Sequence, residues 1–275
     1  MPGGQRYRHV KTAISNGNLH TVCKEAKCPN MGECWEAGTA AFMILGDTCT
    51  RGCRFCAVTR GNPRGIVDTE EPRKIALAVE KMGLDYAVVT SVTRDDLPDG
   101  GASVFAKTVF ELKTLPAKPM VELLTPDYTG DPLKKVLSSK PEVFAHNVEV
   151  VERLSPTMRH KRFSYKNSLQ CLTEAANSGS ALTKSSIMLG LGETDREIED
   201  CMNDLLCAGV GVLVIGQYLQ PTKKHAEVQE YIHPDVFDQL ADRGKKLGFK
   251  YVAASPLART SYKAAEAYVR RRLSR

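Results

Sequence analysis

The stretch FMILGDTCTRGCRFCAV, residues 42–58, runs from a short apolar segment straight into a loop dense in cysteine. FMILG (42–46) is too short for a buried helix and shows no polar alternation, so it reads as a strand covered on both faces. The same kind of segment recurs along the chain, at 86–92, 120–126, 143–151, 184–190 and 210–219. Between these strands lie amphipathic helical patterns at 72–83, 101–115, 131–139, 165–179, 194–209 and 234–248. In the first helix Ile75, Val79 and Met82 share one face and Pro72 stands near the start; in the second Phe105, Val109 and Leu112 are in register. Thr194, the acidic turn after it and Gly209 bound another. Six strand–helix units in a row predict an α/β fold with a parallel sheet covered by helices. A partial (β/α)6 TIM-type barrel is the expectation and a doubly wound sheet the alternative. The cysteine loop sits where a strand gives way to a helix, the rim at which barrels collect their chemistry. The expected organisation is an N-terminal extension over 1–41, the barrel over 42–250 and a C-terminal extension over 251–275.

The 275 residues are 42% hydrophobic and 25% charged, the profile of a soluble globular chain that needs no disulfide staples. No run approaches the roughly 18 apolar residues of a membrane span, and MPGGQRYRHVK lacks the apolar stretch of a secretory signal. A cytoplasmic location is expected, or an organellar one if a transit peptide has been removed. The net charge of +6 is a mild excess, partly from YVRRRLSR at 268–275. That segment reads as a solvated tail, or as a basic face for an acidic partner. No aromatic-rich nucleic-acid motif accompanies it, so neither nucleic acid nor membrane is expected as a partner, and the chain is expected to be a monomer.

Six of the nine cysteines fall between Cys23 and Cys56. An odd count, clustered in a long chain, points to metal rather than to a disulfide framework. Cys171, Cys201 and Cys207 stand alone in helical stretches and read as packed small hydrophobes. Cys49, Cys53 and Cys56 form C-x3-C-x2-C with the aromatic Phe55 before the last cysteine. Three thiolates on one tight loop match three corners of a [4Fe–4S] cube, with the fourth iron open. Upstream, Cys23, Cys28 and Cys34 form C-x4-C-x5-C. By itself this second triad also admits a zinc site completed by a histidine such as His20.

The C-x3-C-x-aromatic-C motif is the signature of the radical S-adenosylmethionine (SAM) superfamily. The two triads together resemble the lipoyl synthase family closely. The matching stretches are NLHTVCKEAKCPNMGECW, GDTCTRGCRFCAV, VTSVTRDDLPDGGA, VELLTPD, HNVEVVERL and RTSYKA, spread from residue 18 to residue 264. The resemblance implies that the open iron of the first cluster chelates SAM, and that one electron cleaves its C–S bond to give a 5′-deoxyadenosyl radical. Unactivated C–H bonds have no acidic proton, so the cofactor carries the hard step. Two sulfur atoms would enter C6 and C8 of an octanoyl chain on a carrier-domain lysine, or on an octanoyl-lysyl peptide. An auxiliary [4Fe–4S] cluster on Cys23, Cys28 and Cys34, borne by the extensions, would donate them. The family completes that cluster with a serine from an R-S-S-Y motif. Here the motif reads Arg259, Thr260, Ser261, Tyr262, which leaves Ser261 as the serine ligand. A ferredoxin- or flavodoxin-type electron donor and an iron–sulfur carrier that rebuilds the auxiliary cluster are implied partners.

Other positions carry two readings each. Gly100 and Gly101 are a turn before a helix, or a close approach to the SAM methionyl group; the superfamily's usual G-G-E lacks its glutamate here. Gly190, in IMLGLGET (187–194), is a strand end, or it packs along the adenine. Asn147 and Glu149 fall on one side of the strand alternation, placed to reach the SAM ribose or amine, or are a buried polar pair. Arg159 meets the substrate or a SAM carboxylate, or is a surface arginine. Next to it, His160 stands where the family has aspartate. The competing functions are another radical SAM sulfur-inserting enzyme, such as biotin synthase or a methylthiotransferase, and a non-enzymatic protein with two zinc knuckles.

Overall fold

A computed structural model describes residues 3–261 in two compact units. Tyr262 and the basic YVRRRLSR segment lie outside the described residues. The first unit comprises 3–52 and 57–143, the second 53–56 and 144–261.

In the first unit the N-terminal segment forms α1 (Gln5–Asn16), β1 (His20–Thr21), α2 (Val22–Glu25) and α3 (Met31–Glu36). The strand–helix alternation starts at β2 (Ala41–Ile44), followed by the short pair β3 (Thr48–Cys49) and β4 (Thr59–Arg60). Then come α4 (Glu71–Met82), β5 (Tyr86–Ser91), α5 (Ala102–Thr114), β6 (Met120–Leu124) and α6 (Gly130–Ser138). β2 pairs parallel with β5 and β5 parallel with β6; β1 adds antiparallel to β2. β2 is buried along its whole length, which is why it reads as an unbroken apolar run.

The chain passes to the second unit in β7 (Val143–Ala145). A 3-10 turn at Glu152–Leu154 leads into α7 (Ser155–Met158), α8 (Tyr165–Asn177), β8 (Leu182–Leu189), α9 (Asp195–Cys207), β9 (Val212–Gln217), α10 (Pro234–Leu247) and β10 (Tyr251–Ser255). β8, β9 and β10 are parallel neighbours. α9 opens with a capping box between Thr194 and Glu197. All six expected strand–helix units are present. Within each unit the strands add in chain order, without the reversal that marks a doubly wound sheet. No helix among the described residues is long and apolar enough to cross a membrane.

Two expectations need correction. The strand expected over 143–151 ends at Ala145. Val148, Val150 and Val151 are buried as a strand's would be, but Glu149 is left-handed with φ 70° and Val150 N–H turns back to Val148 O at 2.9 Å. Composition reports burial, and burial does not require extension. Cys171 and Cys201 are buried, whereas Cys207 is exposed. Six residues past Cys201, it lies about 240° round the helix from the buried face.

Polar groups fix the ends of the strands. Arg94, 1% exposed, grips Asp96 with Nε to Oδ1 at 2.8 Å and Nη2 to Oδ2 at 2.8 Å. The same guanidinium donates to Leu45 O at 3.2 Å and Ile66 O at 2.8 Å. It thereby joins the exit of β2 to the loops after β4 and β5. The guanidinium holds the Asp96 carboxyl down to about 2. Asp96→Ala leaves Arg94 buried without its counter-charge, and on the order of 3 kcal/mol of stability is expected to go. Since the folded pKa is depressed, this contribution is complete above the ordinary carboxylate range and lost as pH falls toward 2. Thermal melts should show a parent–variant gap that is constant from about pH 5 to 8 and closes on acidification. Equal melting temperatures at neutral pH would contradict this.

Candidate active site

β2 runs out through two left-handed residues, Leu45 at φ 70° and Gly46 at φ 85°. Their N–H groups turn to the Glu71 carboxylate, at 2.7 Å and 3.4 Å. Burial pushes the Glu71 carboxyl up, opposed by these two hydrogen bonds. The loop then presents Cys49, whose Sγ accepts N–H from Arg51 and from Thr93, each at 3.4 Å. Thr50 N–H bonds Thr93 O at 2.9 Å, and the Thr50 hydroxyl lies 3.0 Å from the Asp95 carboxylate. Arg51 places Nη2 at 2.8 Å and Nε at 3.0 Å from the two Asp95 oxygens, and Nη1 at 2.8 Å from Asp127 Oδ1. All three side chains are largely shielded, at 10%, 16% and 7% exposed. One guanidinium between two carboxylates ties the cysteine loop to the ends of β5 and β6 and leaves one net negative charge beside it.

Cys53–Cys56 packs within the second unit. His160 N–H donates to Cys53 Sγ at 3.4 Å, Arg54 N–H to Met158 O at 2.8 Å, and Ala226 N–H to Arg54 O at 2.8 Å. His225 Nε2 lies 3.1 Å from Cys56 O, while its Nδ1 lies 2.9 Å from the Thr222 hydroxyl. A carbonyl only accepts, so Nε2 carries the proton. Phe55 packs against the unit's apolar core. Position 160 meets Cys53 through its main chain, so histidine in place of the family's aspartate leaves this contact untouched.

In the same unit Asn147, Glu149 and Arg159 are brought together. Asn147 Nδ2 lies 3.2 Å from Glu149 Oε1 and 3.0 Å from Thr260 Oγ1. Asn147 Oδ1 is buried without a hydrogen-bond partner among the described residues. Burial raises the Glu149 carboxyl, with nearby Arg159 opposing it. Arg159 is 5% exposed, which overturns the surface reading; its Nη1 bonds Ser168 Oγ at 2.8 Å and it stacks 4.2 Å from the Phe163 ring centroid. The alternation argument for Asn147 and Glu149 fails, because both follow the end of β7; they meet through the kink at Glu149 instead.

The glycines are needed locally. Gly100 and Gly101 are left-handed, and a Cβ on Gly101 would stand 2.2 Å from Leu45 Cδ1. Asp99 caps the helix after them, accepting N–H from Gly101 at 3.0 Å and Ser103 at 2.9 Å. Gly190 is left-handed too, and a Cβ there would lie 2.4 Å from Glu230 O.

In the N-terminal triad, Cys23 lies in α2 and Cys34 in α3, and Cys28 N–H bonds Cys23 O at 3.0 Å. Burial pushes the Cys23 thiol up, and the neighbouring Ala41 backbone pulls the other way. His20 faces Glu25, with Nδ1 3.6 Å from the carboxylate. Ser261 closes the described chain in a turn with Thr260.

All nine cysteines are free. Cys49 and Cys53 each receive N–H donors at sulfur, as thiolate ligands of an iron–sulfur cluster do, so the donor set fits that group. No three His, Cys, Asp or Glu side chains among the described residues are gathered tightly enough for a single metal ion; cubane thiolates each bind a different iron and stand farther apart. Sequence reasoning passed over Glu71, Arg51, Asp95, Asp127 and His225. For Asp95 and Asp127 the signal was charge directly after a buried strand, in TRDD and LTPD; Glu71, Arg51 and His225 carried no such local signal. Asp95→Ala is expected to raise amide exchange at Thr50 and Arg51 about tenfold, with α10 unchanged. Equal exchange in parent and variant would refute the fastening.

The radical SAM superfamily matches residues 43–205. The chain is 51% identical to the lipoyl synthase of Thermus thermophilus, over 96% of this chain and 83% of that one. It is 50% identical to the lipoyl synthase of Picrophilus torridus, over 98% and 94%. It is 49% identical to the mitochondrial lipoyl synthase of Vitis vinifera, over 98% and 71%. Among solved structures it shares its fold with Streptococcus suis SuiB bound to S-adenosylmethionine, at TM-score 0.60 and 9% identity over 82% of this chain and 52% of that one. Methylornithine synthase (PylB) aligns at TM-score 0.54 and 11% identity, over 84% and 80%. The chain is therefore an enzyme of the lipoyl synthase family, within the radical SAM superfamily.

Proposed function

We propose that this chain inserts two sulfur atoms, at C6 and C8, into an octanoyl group on a lysine of a lipoyl carrier domain, and that it does so with two [4Fe–4S] clusters. Cys49, Cys53 and Cys56 hold the first, and Cys23, Cys28, Cys34 and Ser261 hold the auxiliary one, the sulfur source. When bound and reduced, the first cluster supplies the electron that splits the SAM C–S bond. The chain's own residues orient the reactants around it. The N–H groups of Arg51, Thr93 and His160 meet the Cys49 and Cys53 sulfurs and orient them. Asn147 Oδ1, a buried acceptor with no partner among the described residues, suits a SAM ribose hydroxyl or amine. Glu149, half-buried beside it, suits the cationic amine. Gly100, Gly101 and Gly190 let the backbone approach the methionyl and adenine groups, Phe55 borders the cluster loop, and Arg159 meets a carboxylate or the substrate.

The observation that carries this reading is the pair of cysteine triads, the first with N–H groups aimed at sulfur, in a chain about half identical to lipoyl synthases throughout. A ferredoxin- or flavodoxin-type donor supplies electrons and an iron–sulfur carrier restores the auxiliary cluster. The free thiols suit a reducing compartment, the cytoplasm or an organelle. Alanine at Cys49, Cys53 or Cys56 is expected to abolish 5′-deoxyadenosine formation. Alanine at Cys23, Cys28 or Cys34 is expected to keep SAM cleavage and lose sulfur insertion. Chromatography of the nucleoside with mass spectrometry of an octanoyl-lysyl peptide reads both. SAM cleavage surviving in the first set, or sulfur insertion in the second, defeats the assignment.

A further inference from the structure

The turn after β10 is fastened at several points. Gln217 N–H bonds Pro256 O at 3.2 Å, and Ala258 N–H bonds Ser255 O at 3.0 Å. Arg259 folds back on its own turn, with Nη1 2.7 Å from Ala258 O and 3.3 Å from Pro256 O. The turn lies hard against Gly216 of β9: a Cβ there would stand 2.2 Å from Ala258 O and 3.0 Å from Arg259 Nη1. The last fastening is a side chain. Asn147 Nδ2 donates to Thr260 Oγ1 at 3.0 Å across 113 residues of sequence, and both residues are buried, at 9% and 8% exposed. The same amide holds Glu149, so its plane is fixed from two directions.

We infer that Thr260 is a positioning residue for Ser261: its hydroxyl, held by Asn147, and the bare backbone of Gly216 together seat the turn that carries the serine oxygen. The inference rests on the proposed reading of Ser261 as a cluster ligand. A serine has one side-chain torsion, so the position of its oxygen is inherited from its backbone, and a ligand must be held to about half an ångström. Without the Thr260 hydroxyl, the buried Asn147 N–H loses its acceptor and the turn its last tie. The family's R-S-S-Y and the R-T-S-Y found here both supply a hydroxyl at this position.

The test uses the chain with Cys49, Cys53 and Cys56 all changed to alanine, so that only the auxiliary cluster is loaded with 57Fe. Mössbauer spectra are compared for that chain and for added Thr260→Val, Thr260→Ser and Ser261→Ala. About a quarter of the iron is expected to carry the oxygen-ligated signature in the parent and in Thr260→Ser. That fraction is expected to be lost in Ser261→Ala and reduced by more than half in Thr260→Val, which keeps the shape and removes the hydroxyl. In the otherwise unsubstituted enzyme, Thr260→Val should slow sulfur insertion about tenfold, and Thr260→Ser, which keeps the hydroxyl, should not. If Thr260→Val fails to fold, Gly216→Ala disturbs the same seat through Ala258 and should reduce the same fraction. A parent-like spectrum in Thr260→Val, with Ser261→Ala altered, overturns the positioning role alone. A parent-like spectrum in Ser261→Ala overturns the ligand reading and this inference together.

Discussion

A loop that presents thiolates has no apolar core of its own, and its position depends on what grips its main chain and its few charges. Here the grip on the first half is the guanidinium of Arg51, set between Asp95 and Asp127 at 2.8 Å from each. The contact is largely shielded from water, where such pairs hold their geometry best. Around it, Thr50, Thr93 and Asp95 complete a ladder that leaves the Cys49 sulfur facing two N–H groups. The Cys53–Cys56 half is held within its own unit by Met158, His160, His225 and Ala226, mostly through main-chain atoms. Side-chain identity is therefore free to vary at positions such as His160.

The same logic runs through the strand ends. Parallel strands buried on both faces are largely apolar along their length, and the cysteine loop and its charges gather where they stop. Three of the exits are turned by left-handed residues and then stapled: Leu45 and Gly46 by Glu71 and Arg94, Gly100 and Gly101 by Asp99, Gly190 by Glu193. The glycines stand where a Cβ would strike a neighbour, at Gly101 against Leu45 and at Gly190 against Glu230. Glu149 adopts the left-handed conformation with a full side chain and is half-buried, backbone strain of the sort that persists at functional positions.

The strand–helix alternation was legible because fully buried strands and amphipathic helices leave different spacings of apolar residues, and both cysteine triads were legible because their members are close in sequence. The kink after β7 was not, since its valines are as buried as those of a strand. Arg51, Asp95 and Asp127 meet across 44 and 76 residues, a separation over which no local pattern carries information. Arg159 was ambiguous for a similar reason: its burial comes from Ser168 and Phe163, on the segment that folds back over it. The short helices α2 and α3 of the N-terminal segment were missed because four- and six-residue helices form no full amphipathic period.

The central claim is that two clusters serve one octanoyl substrate. Anaerobic iron and sulfide analysis, followed by one turnover with SAM, a reductant and an octanoyl-lysyl peptide read by mass spectrometry, tests it most directly. The account predicts about eight irons per chain, as two cubanes require, and a peptide that gains two sulfurs. About four irons, or SAM cleavage with no sulfur on the peptide, would contradict it.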